Sequence, residues 1–269
     1  MQPLFLQANS RRLFALFYGP ANARASILIA PPLCEEMNRC RQTINRFARQ
    51  AAHDGIATLQ LDLYGTGESA GDFGDASWKI WQEDLLCGLN YLRDQGLPKP
   101  SLLGIRGGCL LASELVRQQP DRLRHLLFWQ PVPAGKAVVT ELLRMRVAGG
   151  LTGNESGPKL NDLRAQLQAG EAVETGGYEL AKDLALPLEA VNLKALQPPL
   201  PHLDWLEISG SAAPVRPVAG AVIEGLTSAG ASVALHQIAD PSFWSTAETT
   251  IGAATIQASL KLLAERRHD

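Results

Sequence analysis

Short apolar segments alternate along the chain with longer amphipathic ones. Residues 4–7 and 12–18 alternate in polarity around the turn-forming pair Asn9-Ser10, a pattern that predicts an antiparallel hairpin. Six later segments are short, mostly apolar and rich in β-forming residues, as is typical of strands of a parallel sheet covered by helices on both faces. They are residues 26–30, 56–63, 101–105, 123–129, 205–209 and 232–238.

Amphipathic segments lie between and after these strands, and their apolar residues recur at helical spacing. They cover residues 38–53, 76–94, 108–119, 218–230 and 243–266. Trp244 and Ile251 share one face of the last predicted helix, whose basic end suits a helix C-terminus. Strands that alternate with helices predict an α/β protein with a mostly parallel, doubly wound sheet.

Residues 135–200 interrupt this alternation. They contain helical patterns at 136–147 and 160–167, a Gly-rich passage at 149–157 and a Pro-rich exit near residue 200. Because the region follows one core strand and precedes the next, it predicts a helical lid over the carboxyl edge of the sheet, where ligands bind in open α/β sheets. We expect a core of residues 1–134 and 201–269, with residues 135–200 inserted as the lid.

Composition narrows the class of protein. A chain of 269 residues with 46% hydrophobic and 19% charged residues is typical of one soluble α/β domain. The net charge of −2 gives no long-range attraction to nucleic acid. No apolar run approaches the roughly 20 residues of a membrane span, and the start lacks an export signal, so we expect a cytoplasmic protein. The oligomeric state stays open.

The four cysteines lack the spacing of a metal site. None belongs to a CxxC pair or to a Cys/His cluster, so the sequence predicts reduced thiols and no bound metal. None of the motifs requires an organic cofactor either. The partner that we expect is a small acyl or anionic molecule.

The segment SLLGIRGGCLLA, residues 101–112, predicts a strand that turns abruptly into a helix. Gly104 and Gly108 stand two residues before and two residues after Arg106. A sharp bend needs small residues at those places, because the strained backbone brings them against neighbouring chain. This is the frame of the G-x-S-x-G nucleophile elbow, with Arg106 in the place of serine. A generic Gly-rich turn is the alternative.

Two other segments favour the elbow. DLYGTGES at residues 62–69 resembles the D-x-x-G-x-G-x-S loop frequent in α/β-hydrolases, and PPLCEEMN at 31–38 follows the strand after which these enzymes place the oxyanion loop. Nearly the whole chain resembles one branch of that superfamily, the hydrolase 2 family of the exosortase A system. The resemblance rests on PLFLQ, PPLCEEMNRCR, LQLDLYGTGESAGDFGDASW, GIRGG, WQPV, Gly135-Lys136 and GYEL. It implies an α/β-hydrolase fold and a hydrolase or acyl transferase acting on an ester or thioester.

The three positions of a Ser-His-Asp triad lack the expected residues. Arg106 cannot be a nucleophile, because its guanidinium stays protonated at physiological pH. Ala213 stands about where an aspartate would follow its strand, and residues 239–244, where the base would stand, include no histidine. The sequence therefore predicts a protein without a serine-hydrolase triad.

The five histidines offer no obvious replacement base. Only His236, inside the last strand, could approach the site, and we expect it to be an ordinary core or surface residue. The others are predicted at the opposite edge of the sheet or in the C-terminal tail: His53, His125, His202 and His268.

Three residues of the oxyanion loop and the following helix are candidates for catalysis. Glu35 or Glu36 could act as a base on water, or both could be acids favoured by a helix N-terminus. Cys34 could be a nucleophile, as could Cys109 at the start of a helix that can lower a thiol pKa. Buried cysteines are more often small hydrophobic residues. The catalytic residue stays open among Glu35, Glu36 and Cys34.

The predicted binding site is built around Arg106. Its guanidinium could pair with Glu35 or Glu36 and fill a dead nucleophile site, or it could bind a carboxylate or phosphate beneath the lid. Backbone N–H groups of Gly107 and of Leu33 or Cys34 would keep an oxyanion-like pocket. Further predicted pocket residues are Trp129, Gln130 and Tyr178.

Two functions therefore compete. The first is an enzyme, a hydrolase or acyl transferase with unusual chemistry. The second is a catalytically inactive pseudo-hydrolase that binds an acyl or anionic ligand, or a protein partner, in the inherited cavity. Fold alone cannot decide between them, since function resides in the site.

Overall fold

The computed structural model describes residues 1–20, 22–149, 158–210, 214–246 and 248–266. Within these ranges the central element is an eight-stranded sheet in the order β1-β2-β4-β3-β5-β6-β9-β10. Its strands are β1 (Gln2–Ala8), β2 (Arg11–Tyr18), β3 (Ala25–Ala30), β4 (Ile56–Leu61), β5 (Ser101–Ile105), β6 (His125–Trp129), β9 (His202–Ser209) and β10 (Val233–Ala239). β2 runs antiparallel to β1 and β4, and the other neighbours are parallel. The predicted hairpin and mostly parallel sheet are both confirmed.

Helices pack on both faces of this sheet. The helices of the described residues are α1 (Glu35–His53), α2 (Trp78–Asp94), α3 (Gly108–Gln118), α4 (Gly135–Gly149), α5 (Leu160–Ala169), α6 (Lys182–Ala190), α7 (Pro217–Ser228) and α8 (Ala253–Glu265). Of these, α1, α2, α3, α7 and α8 contact the sheet. Alternate residues of a strand enter different cores, as the two-residue period of a strand requires. In β3, Ile27 and Ile29 pack with α1 and α8, whereas Leu28 and Ala30 pack with α2 and α3.

Among its described residues, the segment between β6 and β9 carries three helices and a small hairpin. Helices α4, α5 and α6 contact one another, and β7 (Val173–Thr175) pairs with β8 (Tyr178–Leu180). Gly135 at the start of α4 lies so close to the Leu188 carbonyl of α6 that a β-carbon would collide with it. Most of the Gly-rich passage predicted at 149–157 lies outside the described residues.

The last helix begins later than the sequence pattern predicts. The predicted helix 243–266 is observed only from Ala253, and Phe243 and Trp244 pack against each other in the preceding loop. The Asp240 carboxylate accepts the Thr255 N–H at 2.7 Å and satisfies the first turn of α8 at that point. The helical spacing of the apolar residues before Ala253 therefore reflects loop packing. The predicted helix is present, but its predicted start is wrong.

No helix in the described ranges has both the length and the apolar character that a bilayer span requires.

Candidate functional site

The chain bends sharply at Arg106, between the end of β5 and the start of α3. Arg106 has a φ of +54°, a backbone conformation that is costly for a long side chain. A β-carbon at Gly104 would lie 2.9 Å from Cys109 Cα, and one at Gly108 would collide with the Pro31 carbonyl oxygen. Both glycines are therefore sterically required, as the elbow frame predicts.

The Arg106 guanidinium is held by Glu36. Its Nε and Nη2 atoms both lie 3.0 Å from Glu36 Oε1, and Nη1 donates to the Gln130 carbonyl at 3.3 Å. The guanidinium carbon lies 4.9 Å from the centre of the Trp244 ring, within the range of a cation–π contact. Glu35 pairs instead with Arg39 at 3.4 Å. The predicted carboxylate partner of Arg106 is thus Glu36.

Glu36 is a perturbed carboxyl group. Burial raises the pKa of Glu36 above its ordinary value, although the charge and hydrogen bonds of Arg106 oppose the shift, and the Glu141 carboxylate raises it further. No hydrogen bond from the described residues reaches the second oxygen, Oε2. One lone-pair-bearing oxygen of a partly buried carboxylate is therefore available to a ligand or to water.

The thiols near the site are not activated. Cys34 is buried, with a φ of +52°, and burial together with the charge of Glu36 raises its pKa to about 12. Cys109 is fully buried, which raises its thiol pKa well above the ordinary value. A reactive cysteine needs a lowered pKa, so both side chains behave as small hydrophobic residues at neutral pH.

A cavity of about 220 Å³ opens beside the Arg106–Glu36 pair. Its charged lining residues come from α1, the elbow and α4. Its apolar lining residues are Leu33, Val132, Val138, Leu142, Met145 and Trp244. Val138, Leu142 and Met145 share one helical face of α4, and this face lines the cavity.

Three of the predicted pocket residues do not line this cavity. Trp129 is fully buried in the core that the sheet forms with α1 and α8, and it donates its indole N–H to Ser259. The Gln130 side chain accepts a hydrogen bond from the Ile208 N–H, so only its backbone carbonyl serves the site. The Tyr178 hydroxyl contacts Asn38 at 3.3 Å. Leu33, Cys34, Arg106 and Gly107 do line the cavity.

Trp244 and the cavity-lining residues of α4 were not predicted as site residues from the sequence. The sequence pattern places Trp244 in the last helix, which in the structure begins nine residues later. Val138, Glu141, Leu142 and Met145 follow the three- and four-residue spacing of one helical face. That spacing, combined with the predicted position of the lid over the elbow, was the signal that could have identified them.

The histidines lie elsewhere, around the buried carboxylate of Asp204. Its oxygens lie 2.8 Å from His125 Nε2, 2.7 Å from His236 Nε2 and 3.3 Å from His202 Nε2. Burial alone would raise the pKa of Asp204, but hydrogen bonds from His125 and His236 outweigh burial and hold that pKa well below its usual range. His236, the one histidine that could have approached the site, belongs to this cluster.

The histidines of this cluster lie away from the cavity. His125 and His202 begin β6 and β9, at the sheet edge opposite the elbow, and no histidine among the described residues lines the cavity. An Arg266 guanidinium nitrogen lies 2.8 Å from His202 Nε2, so a cation already occupies the cluster. No group of three or more His, Cys, Asp or Glu side chains in the described ranges is arranged to hold a metal ion. Ala213 and His268 lie outside those ranges.

Solved structures with the same architecture identify the fold. Est1E from Butyrivibrio proteoclasticus matches with a TM-score of 0.70 at 13% identity over 100% of both chains. A putative hydrolase from Agrobacterium vitis S4 matches with a TM-score of 0.63 at 17% identity, covering 98% of this chain and 97% of that one. An esterase from Exiguobacterium antarcticum gives 0.62 at 13% identity over 100% of both chains.

The chain therefore has the α/β-hydrolase fold, as the sequence motifs predict. At these identities the likeness concerns the fold alone. No protein-family model and no curated protein sequence matches the chain.

Proposed function

We propose that this protein is a pseudo-hydrolase that binds a small acyl compound, such as an ester, thioester or amide, in the cavity beside Arg106. The observation that carries the proposal is the Arg106–Glu36 ion pair at the elbow. A permanently protonated guanidinium stands where acyl transfer needs a nucleophile, and no imidazole of the described residues faces it.

The shape of the cavity supports ligand binding. Pockets for drug-sized ligands measure about 300–1,000 Å³, so a cavity of about 220 Å³ suits a smaller molecule. Its apolar side chains would pack against a short aliphatic chain, and its charged side chains would face a polar head group. Trp244 is 7% exposed and contributes one of the apolar lining side chains.

The backbone supports recognition of a carbonyl group. Within the described residues, the N–H groups of Gly107 and Cys34 donate no hydrogen bond to backbone or side chain. Gly107 follows the elbow and Cys34 precedes α1, the two places that supply oxyanion donors in this fold. Both donors belong to the main chain, so they do not depend on a serine at position 106.

A second function, hydrolysis without a covalent intermediate, is favoured by one observation. The pKa of Glu36 is raised by burial, which brings a carboxylate base closer to the ideal for catalysis near neutral pH. Glu36 Oε2 would take a proton from water while the water oxygen attacks the carbonyl carbon, and the leaving alcohol would carry away the proton. The pairing of Oε1 with Arg106 weakens Glu36 as a base, so we rank this function second.

Calorimetric titration with hexanamide and methyl hexanoate tests the binding proposal. Val138→Trp would fill the cavity from α4 and should abolish binding. Val218→Trp makes the same change at an exposed position of α7, 48% exposed, and should leave binding intact. Equal affinity of both variants would contradict binding in this cavity.

Product analysis of the methyl hexanoate mixture separates the two functions. The pseudo-hydrolase proposal expects intact ester after prolonged incubation. Sustained release of hexanoate that disappears in Glu36→Gln would establish the second function in its place. A matched Glu224→Gln variant, exposed on α7, excludes an effect of the substitution itself.

The sequence resemblance supports one further proposal, that this protein acts in the cytoplasm beside an exosortase A system. Fractionation of cells that make the tagged chain checks its location, and recovery in an exported fraction would contradict it. A protein partner from that system, bound without any small ligand, is the remaining alternative for the cavity.

A further inference from the structure

Carboxylates outnumber cations among the residues that line the cavity. Glu35, Glu36 and Glu141 line it together with Arg39 and Arg106. The protein itself engages both arginines. Arg39 donates to the Thr246 carbonyl and pairs with Glu35, and Arg106 is held by Glu36 and by a backbone carbonyl.

Glu36 occupies the face of Arg106 that a ligand carboxylate would need. Two of the three guanidinium nitrogens point at Glu36 Oε1, and the third is directed to the Gln130 carbonyl. An incoming carboxylate would have to displace Glu36, which has no other cation partner among the described residues. It would then lie beside Glu36 and Glu141, and like charges at short range oppose binding.

An uncharged acyl compound meets no such opposition. Its carbonyl oxygen can accept from the main-chain donors of Gly107 and Cys34. An amide N–H can also donate to Glu36 Oε2, to which no described residue donates. A free carboxylate has no hydrogen to donate and gains nothing from this oxygen.

We propose that Glu36 is an internal carboxylate that saturates Arg106 and makes the cavity select uncharged acyl compounds over free carboxylic acids. The inference rests on the proposed function, because it requires the cavity to bind acyl compounds. It names the chemical class of the ligand, and it makes Glu36 the residue that determines specificity.

The test compares hexanamide with hexanoate, which have the same chain length and differ in charge. Calorimetric titrations are run at about pH 8, where free carboxylates are ionised. The wild-type protein should bind hexanamide at least about tenfold more tightly, a ratio that corresponds to about 1.4 kcal/mol of repulsion. Glu36→Gln keeps an oxygen for Arg106 but removes the charge, so hexanoate should then bind about tenfold more tightly than it binds the wild type.

Two further variants keep the test decisive. Combining Glu36→Gln with Arg106→Gln should remove the gained affinity for hexanoate, because the cation that attracts the carboxylate is gone. Glu224→Gln is the matched control on the exposed face of α7 and should bind both compounds as the wild type does.

The remaining outcomes show whether the inference about Glu36 fails alone or together with the proposed function. If the wild type binds hexanoate as tightly as hexanamide, the inference about Glu36 is overturned and the proposed function stands. The same conclusion follows if Glu36→Gln leaves the preference unchanged. If neither compound binds the wild type, the proposed function fails, and the inference fails with it.

Discussion

The ion pair between Arg106 and Glu36 should stabilise the fold measurably. Two guanidinium nitrogens lie 3.0 Å from one carboxylate oxygen, and the two side chains are 12% and 26% exposed. Breaking a fully buried pair costs about 3–5 kcal/mol, whereas an exposed pair contributes about 0–1 kcal/mol. This pair is mostly buried, but Arg106 keeps the Gln130 carbonyl and the Trp244 ring. We therefore expect Glu36→Ala to cost about 2–3 kcal/mol.

A double-mutant cycle isolates the interaction itself. Urea unfolding of the wild type, Glu36→Ala, Arg106→Ala and the double variant should give a coupling energy of about 1–3 kcal/mol. Arg106→Gly serves as a matched variant, because a φ of +54° penalises any residue with a β-carbon by about 1–2 kcal/mol. It should therefore be more stable than Arg106→Ala. A coupling energy below about 0.5 kcal/mol, the range of independent sites, would refute the reasoning.

The destabilisation caused by Arg106→Ala should depend on pH in a known direction. Arg106 opposes the upward pKa shift that burial imposes on Glu36, so removing Arg106 enlarges the shift. A carboxyl group whose pKa is raised by folding stabilises the folded protein at pH values below its pKa in the unfolded chain, which is about 4.3 for Glu. This stabilisation is lost as the pH rises through the pKa that the group has in the folded protein. Arg106→Ala should thus be more destabilised at about pH 7 than at about pH 4. Equal destabilisation at the two pH values would contradict the claim that Arg106 lowers the pKa of Glu36.

Three shorter predictions concern other residues. Arg106→Ser should neither hydrolyse nitrophenyl esters nor react with a fluorophosphonate, since no described histidine lines the cavity; labelling of the new serine would contradict this. Asp204→Ala should cost about 3–5 kcal/mol in urea unfolding at about pH 7, because it leaves the buried His125 without its partner. Asp204 has a lowered pKa, so its contribution is present above about pH 4 and should fade as the pH falls further. Cys34, with a pKa of about 12, should resist iodoacetamide at neutral pH while the less buried Cys87 reacts; equal rates would argue against the burial of Cys34.

The sequence predicts the fold well because each core strand carries a strong local signal. All six residues of β4, Ile56–Leu61, are buried, and a strand covered on both faces is mostly apolar. The elbow can also be predicted from the sequence, because close backbone contacts require glycine at positions 104 and 108. Arg106 at its centre could therefore be identified without any structure.

The walls of the site could not be predicted in the same way. Trp244 reaches the cavity from an irregular loop, and the spacing of apolar residues does not distinguish a loop packed on the core from a helix. Trp129 ends the correct strand and Gln130 follows it, but a strand alternates its side chains between two faces, and the face is fixed only by register. Trp129 is buried in the core that the sheet forms with α1 and α8, and it does not line the cavity.

The Arg106–Glu36 pair should oppose the introduction of a serine-hydrolase triad at the elbow. Restoring nucleophilic catalysis would need a serine at position 106, an imidazole after β10 and a carboxylate to orient that imidazole. Arg106→Ser alone would also leave Glu36 buried without its cation, which would raise the pKa of this carboxyl group further and destabilise the folded protein near neutral pH. Because the first step toward a triad carries this cost, Arg106 and Glu36 constrain each other, and a change at one position is tolerated best when the other changes with it.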